Sequence, residues 1–497
     1  MILPTLENKL KEYVELFNSQ DDSPHSCSID NAHALDWLRE NAPRIECPDA
    51  AIESAFYFRL WTFRKHVKPT PDGVVVTEFL PPVPWDSLHN VIVAAVGHHV
   101  DEGKWLKNRR EVLEDYLALF LTQKASPFAY STWLCYSVWQ YCRFLNDYTF
   151  GLKHLEDMVW YYTQMAQEHA TDTGLYWSID NWDAMEVSIS GSDLERKATR
   201  GLRPTLNSYM AANAFAISQF ARLAGKQELA REYDKEYLRL RDLMLDRLFD
   251  GEFFKACHST DGGRTYPELS QLSLWNDVRE LIGYVPWCFD LVPPGHSRAF
   301  LHLKSKEGFL CQFGLTTAEQ RHPRFLFGYR HSCLWNGYVW PFATTQTLNA
   351  VRGALKIDAP DHVSWDDYYQ MLRTYADSHH RIRSDGSRVF WIDEVRHPWY
   401  DVWESRHILK ARGWPENHGP MDRGRDYNHS TFCDLVLGGL LGIDFVQGAL
   451  QVDPHVPQEW EYFKVENLWH NNKEYRIVFD RHGDRYGMGK GLTVCEM

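Results

Sequence analysis

Residues 204–251, PTLNSYMAANAFAISQFARLAGKQELAREYDKEYLRLRDLMLDRLFDG, decide the fold. Pro204 suits the first turn of a helix, and Gly225 suits a helix end. Apolar residues recur at helical spacing on both sides of that glycine: Ala214, Ile217, Phe220, Ala221, Leu229, Tyr233, Tyr237, Leu240 and Met244. The stretch therefore predicts two helices that form an antiparallel hairpin and end at the Asp250-Gly251 turn.

Amphipathic stretches of the same kind extend outwards from this hairpin. They predict helices at about 48–66, 88–101, 109–122, 131–146, 150–168, 332–354, 363–380 and 427–441. The longer loops hold many of the Trp, Pro and acidic residues: 68–87, 172–202, 250–275, 304–331 and 381–426. Because loops carry function on a rigid scaffold, we expect a closed ring of helical hairpins whose long loops meet at one end and build a pocket.

The pattern changes after about residue 443. Short runs rich in β-branched and aromatic residues predict strands near 450–452, 462–465 and 475–479. We therefore expect a mainly α chain with two parts. Residues 1–442 form the helical domain, and residues 443–497 form a small β module packed against it.

Composition limits the classes of partner. The chain has 53 Lys and Arg against 67 Asp and Glu, a formal net charge of -14, which argues against a nucleic acid or an anionic membrane surface. Aromatic residues make up 14% of the chain, which favours an aromatic-lined pocket for a small molecule. The first 17 residues lack the pattern of an export signal, and the ten Cys include no CxxC pair. We expect a cytoplasmic protein, of unknown oligomeric state.

The segment 177–188, WSIDNWDAMEVS, holds two indoles and three carboxyl groups within ten residues. Exposed Trp side chains gain nothing in solvent, and unpaired acids are costly in a core, so the combination calls for a special environment. A carbohydrate site is one, since indoles stack on sugar rings while carboxyl groups bind hydroxyls or exchange protons. The structural alternative is a helix start with Asp180, Asp183 and Glu186 near its positive end.

Three other segments combine aromatic residues with polar ones. In 84–87, PWDS, Asp86 is suited either to capping a helix or to holding a sugar hydroxyl. In 335–341, WNGYVWP, the indoles suit a pocket wall or an aromatic core. In 390–399, FWIDEVRHPW, Glu394 could hold a water molecule for attack, or pair with Arg396 or Arg388. The 23 His show no HExxH spacing, so we predict no catalytic metal and no cofactor, with Ca²⁺ at an all-oxygen loop left open.

Taken together, these motifs resemble those of a clan of inverting glycoside hydrolases built on an (α/α)6 barrel. The clan includes trehalases, processing glucosidase I, and mannosylglycerate and glucosylglycerate hydrolases. Its motif order is kept here: Trp85-Asp86-Ser87, Ala184-Met185-Glu186-Val187-Ser188, Trp335-Asn336-Gly337 with Trp340-Pro341, Glu394-Val395-Arg396-His397-Pro398, and Tyr427-Asn428-His429-Ser430. The resemblance spans roughly residues 50–442 and is closest to a mannosylglycerate-hydrolase-like branch. It implies an (α/α)6 barrel.

The resemblance also implies roles for individual residues. Glu186 corresponds to the general acid and Glu394 to the general base. Substrate binding falls to Trp85, Asp86, Trp177, Asp180, Trp335, Asn336, Gly337, Trp340, Trp391 and His429. Glu186 stands where the clan has Asp, which leaves Asp183 as an alternative acid, and a long insertion before Tyr427 leaves Glu416 as an alternative base.

An inverting mechanism needs a protonated acid and an ionised base about 6.5 to 9.5 Å apart. Apolar neighbours such as Trp182 and Met185 would raise the pKa of Glu186, and donors such as Arg388 or Arg396 would keep Glu394 ionised. We expect an exo-acting enzyme that cleaves a short α-glycoside, such as mannosylglycerate, glucosylglycerate or a small disaccharide. The alternatives are a sugar epimerase or isomerase on the same barrel, a polysaccharide lyase, and a non-catalytic sugar-binding protein.

Overall fold

The computed structural model describes residues 5–192, 197–328, 331, 333–357, 360–413 and 419–497. This part of the chain is mostly helical, as predicted. Its α-helices, α1 to α13 in chain order, are Leu6–Gln20, Ala34–Asn41, Ala50–His66, Val96–Gly103, Arg109–Leu121, Leu134–Leu145, Thr149–Lys153, Leu155–His169, Pro204–Leu223, Gln227–Arg247, Pro341–Ile357, Trp365–Asp377 and Glu404–Ala411. Two longer 3-10 segments, Leu281–Phe289 and Ser297–Lys304, lie between α10 and α11.

The hairpin predicted for 204–251 is confirmed by α9 and α10, which pack along each other. Pro204 occupies the first turn of α9, and Gly225 follows the helix with a positive φ of 73°. Helix α9 is buried along almost its whole length, whereas α10 buries only a stripe of Ala230, Tyr233, Leu240 and Met244. This difference places α9 inside and α10 outside.

The same contrast between inner and outer helices recurs elsewhere in the molecule. Helices α3 and α11 are buried on nearly every side, and they pack against α12, which buries one face. The inner helices carry apolar and small residues around their circumference, as expected for elements enclosed by a second layer. The helical part of the chain therefore has buried inner helices and partly exposed outer helices.

Several segments differ from the prediction. In two of them, backbone amides bond to a distant loop or to a side chain instead of continuing an α-helix. The helix predicted at 332–354 begins only at Pro341. Residues 427–441 contain a π-helical segment, Leu435–Leu440, rather than an α-helix, and the Glu102 carboxylate accepts from the amides of Phe432 and Cys433 just before it. Helix α13 lies within the predicted loop 381–426.

The strands, β1 to β15 in chain order, are Arg44–Glu46, Val67–Thr70, Gly73–Val76, Trp177–Ser178, Gly201–Leu202, Cys257–His258, Leu310–Cys311, Gly314–Leu315, His380–Ile382, Arg388–Phe390, Ile443–Val446, Ala449–Val452, Tyr462–His470, Lys473–Asp480 and Gly491–Glu496. The predicted strands near the end of the chain are confirmed. The largest sheet has the order β1-β13-β14-β15, with antiparallel pairs throughout. Strand β1 joins this sheet from the N-terminal region and ties the C-terminal strands to the helical part.

Two small sheets support the loops that carry acidic residues. Strands β4, β5 and β6 form a three-stranded sheet at the base of the loop that contains Glu186. Strands β9 and β10 pair immediately before the segment that contains Glu394. Both loops therefore start from a fixed backbone.

Two findings concern the chemistry of the chain as a whole. The ten cysteines are free thiols. Among the described residues, no helix combines the length and the apolar character that crossing a bilayer would require.

Candidate active site

A cavity of about 220 Å³ lies where several long loops meet. Its walls are formed by Glu78, Phe79, Trp85, Ile92, Tyr130, Ala184, Glu186, His331, Cys333, Trp340, Glu394, Arg423, Tyr427 and His429. Aromatic rings and three carboxyl groups, those of Glu78, Glu186 and Glu394, are among them. Five residues singled out from the sequence line it together: Trp85, Glu186, Trp340, Glu394 and His429.

The loop that carries Glu186 has an unusual backbone. Ala184 and Val187 adopt positive φ angles of 57° and 64°. A β-branched residue such as Val187 rarely adopts this conformation, which persists only where its surroundings enforce it. Here the amide of Met185 donates to the Asp180 carbonyl at 2.9 Å, and the Glu186 carbonyl accepts from the amide of Trp335 at 3.2 Å. The strained backbone directs the Glu186 side chain into the cavity.

A single segment joins this loop to the loop of Glu394. At one end of the segment, the amide of Trp335 donates to Glu186. At the other end, Val339 and Arg396 exchange two backbone hydrogen bonds, of 3.0 and 2.9 Å. These bonds explain why residues 333–340 are not part of the helix, and they fix the backbones of the two acidic loops relative to each other.

Glu394 is buried, and its Oε2 has no hydrogen-bond partner among the described residues. Nη2 of Arg423 lies 3.6 Å from that oxygen. Neither arginine expected from the sequence plays this part. Arg396 pairs with Asp401, and Arg388 donates to the Asp377 carbonyl.

Burial raises the pKa of both carboxyl groups. The pKa of Glu186 rises to about 8, and the negative charges of Asp180 and Glu394 add to this effect. Burial also raises the pKa of Glu394, to about 7. The positive charge of Arg423 opposes this rise. The two groups thus share one cavity but differ in proton affinity, and Glu186 holds its proton more firmly.

The structure places Asp183 outside the cavity wall. Its carboxylate is completely buried, pairs with Arg203, and accepts hydrogen bonds from Ser131, Ser178 and Thr205. Asp180 is similarly committed to Ser192, at 2.6 Å. Trp177 lies beneath this loop, between the ring of Trp182 and the guanidinium of Arg200. These side chains support the loop rather than line the cavity.

In the motif 335–341, Trp340 lines the cavity, whereas Trp335, Asn336 and Gly337 do not. Trp340 lines the cavity and stacks on Trp335, with ring centroids 4.6 Å apart. Asn336 donates to the Phe327 carbonyl behind the wall. Gly337 has a φ of 132°, and a Cβ there would lie 2.5 Å from the ring of Phe325. Trp391 lies away from the cavity under the guanidinium groups of Arg381, Arg406 and Arg425.

Asp86 does not line the cavity, and Glu78 stands on the wall instead. Both oxygens of Asp86 are buried without a hydrogen-bond partner among the described residues. Burial raises its pKa to about 6, and it raises the pKa of Glu78 well above the usual range, with Asp86 adding to the latter effect. Glu78 was not predicted from the sequence, although an acid that directly follows the buried run Val75-Val76-Thr77 is itself a signal.

Other candidate sites in the described residues lack an unpaired buried acid. A groove of about 840 Å³ lies between α8 and α10, but its central acid, Glu236, is bonded to Arg239, Tyr162 and Tyr176. Among the described residues, no group of three His, Cys, Asp or Glu side chains is arranged to hold a metal ion. Glu416, the alternative base, lies outside the described residues.

Comparison with solved structures places this fold among glycoside hydrolases. A structure titled "Sialidase" matches with a TM-score of 0.86 and 31% identity over 99% of this chain and 43% of its own. The family 78 rhamnosidase of Bacillus sp. GL1 has a TM-score of 0.55 and 12% identity over 89% of this chain and 40% of its own. An α-L-rhamnosidase from Aspergillus terreus has a TM-score of 0.52 and 11% identity over 92% of this chain and 50% of its own.

This chain spans half or less of the length of each of those structures. No curated protein matches. A family model described as the mannosylglycerate hydrolase MGH1-like glycoside hydrolase domain matches residues 88–430, which is more than half of the chain and includes Glu186 and Glu394. The chain therefore belongs to the MGH1-like glycoside hydrolase family.

Proposed function

We propose that this protein is an exo-acting, inverting glycoside hydrolase that removes one terminal sugar from a short α-glycoside. The observation that carries the proposal is the presence of two buried carboxyl groups, Glu186 and Glu394, in one cavity of about 220 Å³. A space of this size suits a single sugar ring. In this proposal, the helices form an (α/α)6 barrel and residues 443–497 a small β module, to which β1 contributes.

The different environments of the two carboxyl groups assign their roles. Glu186, with its pKa raised to about 8, is protonated at neutral pH and donates its proton to the glycosidic oxygen. Glu394, beside Arg423, is the group that ionises first and removes a proton from the attacking water. The oxygen of that water forms a bond to the anomeric carbon on the face opposite the departing group, so the configuration inverts.

The bonding of Asp183 argues against its use as the acid. A general acid must be protonated and must reach the leaving oxygen. Asp183 pairs with Arg203 and lies off the cavity wall. Glu186 has a raised pKa and lines the cavity, which supports its assignment as the acid.

The indoles of Trp85 and Trp340 supply flat apolar surfaces on the cavity wall, which suit the less polar face of a sugar ring. Mannosylglycerate, glucosylglycerate and small disaccharides remain candidate substrates. The structural neighbours include enzymes titled as rhamnosidases and a sialidase, so the screen should include rhamnosides and sialosides. The choice of substrate rests on experiment.

The test is a panel of α- and β-linked glycosides that covers pyranosides, furanosides, glyceryl glycosides and disaccharides, with released monosaccharide as the readout. We expect release from at least one α-glycoside by the wild-type protein, and a loss of at least about a hundredfold in Glu394→Gln. Release that is undiminished in Glu394→Gln would refute the role of Glu394. The absence of monosaccharide release from every α-glycoside of the panel would refute the proposed function.

A sugar isomerase or epimerase is the second candidate, because His331 and His429 both line the cavity. Such an enzyme would exchange a carbon-bound hydrogen of a free sugar with solvent. Incubation of free sugars in D₂O, followed by NMR, separates the two functions. Deuterium incorporation without any glycoside cleavage would favour the isomerase.

A further inference from the structure

Two polar atoms on the cavity wall stand close together without being joined by a hydrogen bond. Oε1 of Glu78 lies 3.4 Å from Nε2 of His429. Both residues are buried, and both line the cavity. Nε2 of His429 has no hydrogen-bond partner among the described residues. A buried polar atom of this kind is costly unless something satisfies it, and its position on the wall points to a ligand.

The imidazole of His429 is neutral at ordinary pH, because burial lowers its pKa well below the usual range. Its ring is held in place by Phe79, stacked at 5.5 Å, and by Tyr427, at 4.7 Å. With its proton on Nε2, such a ring is a fixed donor that faces the cavity.

Asp86 lies off the cavity wall, and its carboxyl group interacts with that of Glu78, whose pKa it raises. Two adjacent carboxyl groups in a buried site cannot both ionise, so they share one proton. With that proton between them, the other face of the Glu78 carboxyl remains an acceptor. The wall therefore presents an acceptor, Glu78, beside a donor, His429.

We propose that Glu78 and His429 together clamp one hydroxyl group of the terminal sugar and so determine which sugar is accepted. Nε2–H of His429 donates to the hydroxyl oxygen, and the hydroxyl donates its own proton to Glu78. Asp86 is a positioning residue that holds Glu78 by the shared proton. This inference rests on the proposed glycoside hydrolase function and adds a specificity determinant to it.

A clamp formed by Glu78 and His429 makes binding depend on one hydroxyl group of the sugar. A site built to bond a hydroxyl rejects the analogue that lacks it, because buried polar groups are then left unpaired. If Glu78 only filled space, removal of a sugar hydroxyl would leave no polar group unpaired, and the deoxy analogue would not be rejected. The two possibilities therefore differ in how the protein treats deoxy sugars.

The test uses the glycoside found in the panel and a series of analogues in which each hydroxyl in turn is replaced by hydrogen. For the wild-type protein, we expect kcat/KM to fall by about a hundredfold or more at one position of the sugar. Glu78→Leu should show a similar loss with the parent glycoside, and almost no further loss with that one analogue. The two changes remove the same interaction, so their effects do not multiply.

Glu78→Gln should restore most of the activity, because its amide N–H replaces the shared proton towards Asp86 and its carbonyl still accepts from the hydroxyl.

Glu280 offers a matched control. It is a buried carboxyl group that bonds the amide of Ser190 at 3.2 Å and lies off the cavity wall. In Glu280→Leu, any loss should multiply with the loss caused by each deoxy analogue. Thermal unfolding identifies variants that fail to fold, and the wild-type deoxy series tests the clamp without any variant.

The outcomes separate the two proposals. If the wild-type protein cleaves a glycoside but the effects of Glu78→Leu and of every deoxy analogue multiply, the clamp is wrong and the proposed function stands. An equal tolerance of all deoxy analogues by the wild-type protein also overturns the clamp. If the wild-type protein cleaves no glycoside, the proposed function fails and the clamp falls with it.

Discussion

Nη2 of Arg423 lies 3.6 Å from Oε2 of Glu394, and both side chains are buried in the wall of one cavity. This cation stabilises the ionised form of Glu394 against the effect of burial. Glu186 lines the same cavity. Burial and the negative charges of Asp180 and Glu394 raise its pKa, and the positive charge of Arg423 lowers it by a smaller amount. The arrangement gives two chemically identical groups different proton affinities, which fits the proposed roles of proton donor and proton acceptor.

Replacement of either carboxyl group by an amide tests these roles. Glu186→Gln and Glu394→Gln should each lower turnover by about 10² to 10⁴, because general acid and general base catalysis contribute on this scale. Neither change should lower the melting temperature, since a neutral amide avoids the cost of a buried charge. Steady-state kinetics and calorimetry on the same preparations check both expectations. Turnover within tenfold of the wild type in either variant would contradict the assignment.

The pH dependence follows from the two pKa values. Below about pH 7, Glu394 gains a proton and stops acting as a base, and above about pH 8, Glu186 loses the proton that it must donate. The profile of kcat/KM should therefore be a narrow bell with its maximum between these limits. The apparent values belong to the interacting pair.

Arg423 supplies a direct check on the acidic limb of that profile. Arg423→Gln removes the positive charge that lowers the pKa of Glu394, so the acidic limb should move to higher pH and the bell should narrow. The matched comparison is Arg423→Lys, which keeps the charge and should shift the limb less. An acidic limb that stays in place in Arg423→Gln would show that Glu394 is not the base.

Asp183 should behave as a structural residue. Asp183→Asn leaves the buried guanidinium of Arg203 without its ion-pair partner, which typically costs about 3–5 kcal/mol. We expect a clear loss in the free energy of unfolding, measured with urea, and residual turnover in the fraction that remains folded. A fully stable Asp183→Asn protein without activity would identify Asp183 as the acid instead of Glu186.

Gly424 tests how closely the base is held. A Cβ at this position would lie 2.2 Å from Oδ1 of Asp393 and 3.0 Å from Cγ of Glu394. Gly424→Ala should therefore displace Glu394 and lower kcat by about tenfold or more, because small displacements of a catalytic group are costly. Gly328→Ala, where a Cβ meets no atom of the described residues within 4 Å, is the control and should leave kcat unchanged. Equal kcat values in the two variants would argue against a tightly held base.

The helical part of the fold was accessible from the sequence because periodicity is a local signal. The α9–α10 hairpin follows from apolar spacing between Pro204 and Gly251. The helix predicted for 332–354 was wrong for the described residues before Pro341, because the backbones of Trp335 and Val339 bond to Glu186 and Arg396, which are far away in the chain. Long-range pairing of this kind leaves no trace in local spacing.

The cavity was accessible only in part, for the same reason. Glu186, Glu394 and Trp340 stand in aromatic and acidic motifs, and the structure brings them to one cavity. Glu78 and Arg423 stand in no such motif, and only the folded chain places them beside Asp86 and Glu394. Asp86 itself does not line the cavity, whereas Glu78, with which it interacts, does.

The stereochemistry of the first-formed sugar tests the central claim most directly. We expect ¹H NMR, recorded within minutes of adding the protein to an α-glycoside that it cleaves, to show the β-anomer first, with the α-anomer appearing only through mutarotation. Such a result places Glu186 and Glu394 as acid and base around a water molecule. The α-anomer as the first product would mean a covalent, retaining mechanism, and would contradict the roles assigned to these two carboxyl groups.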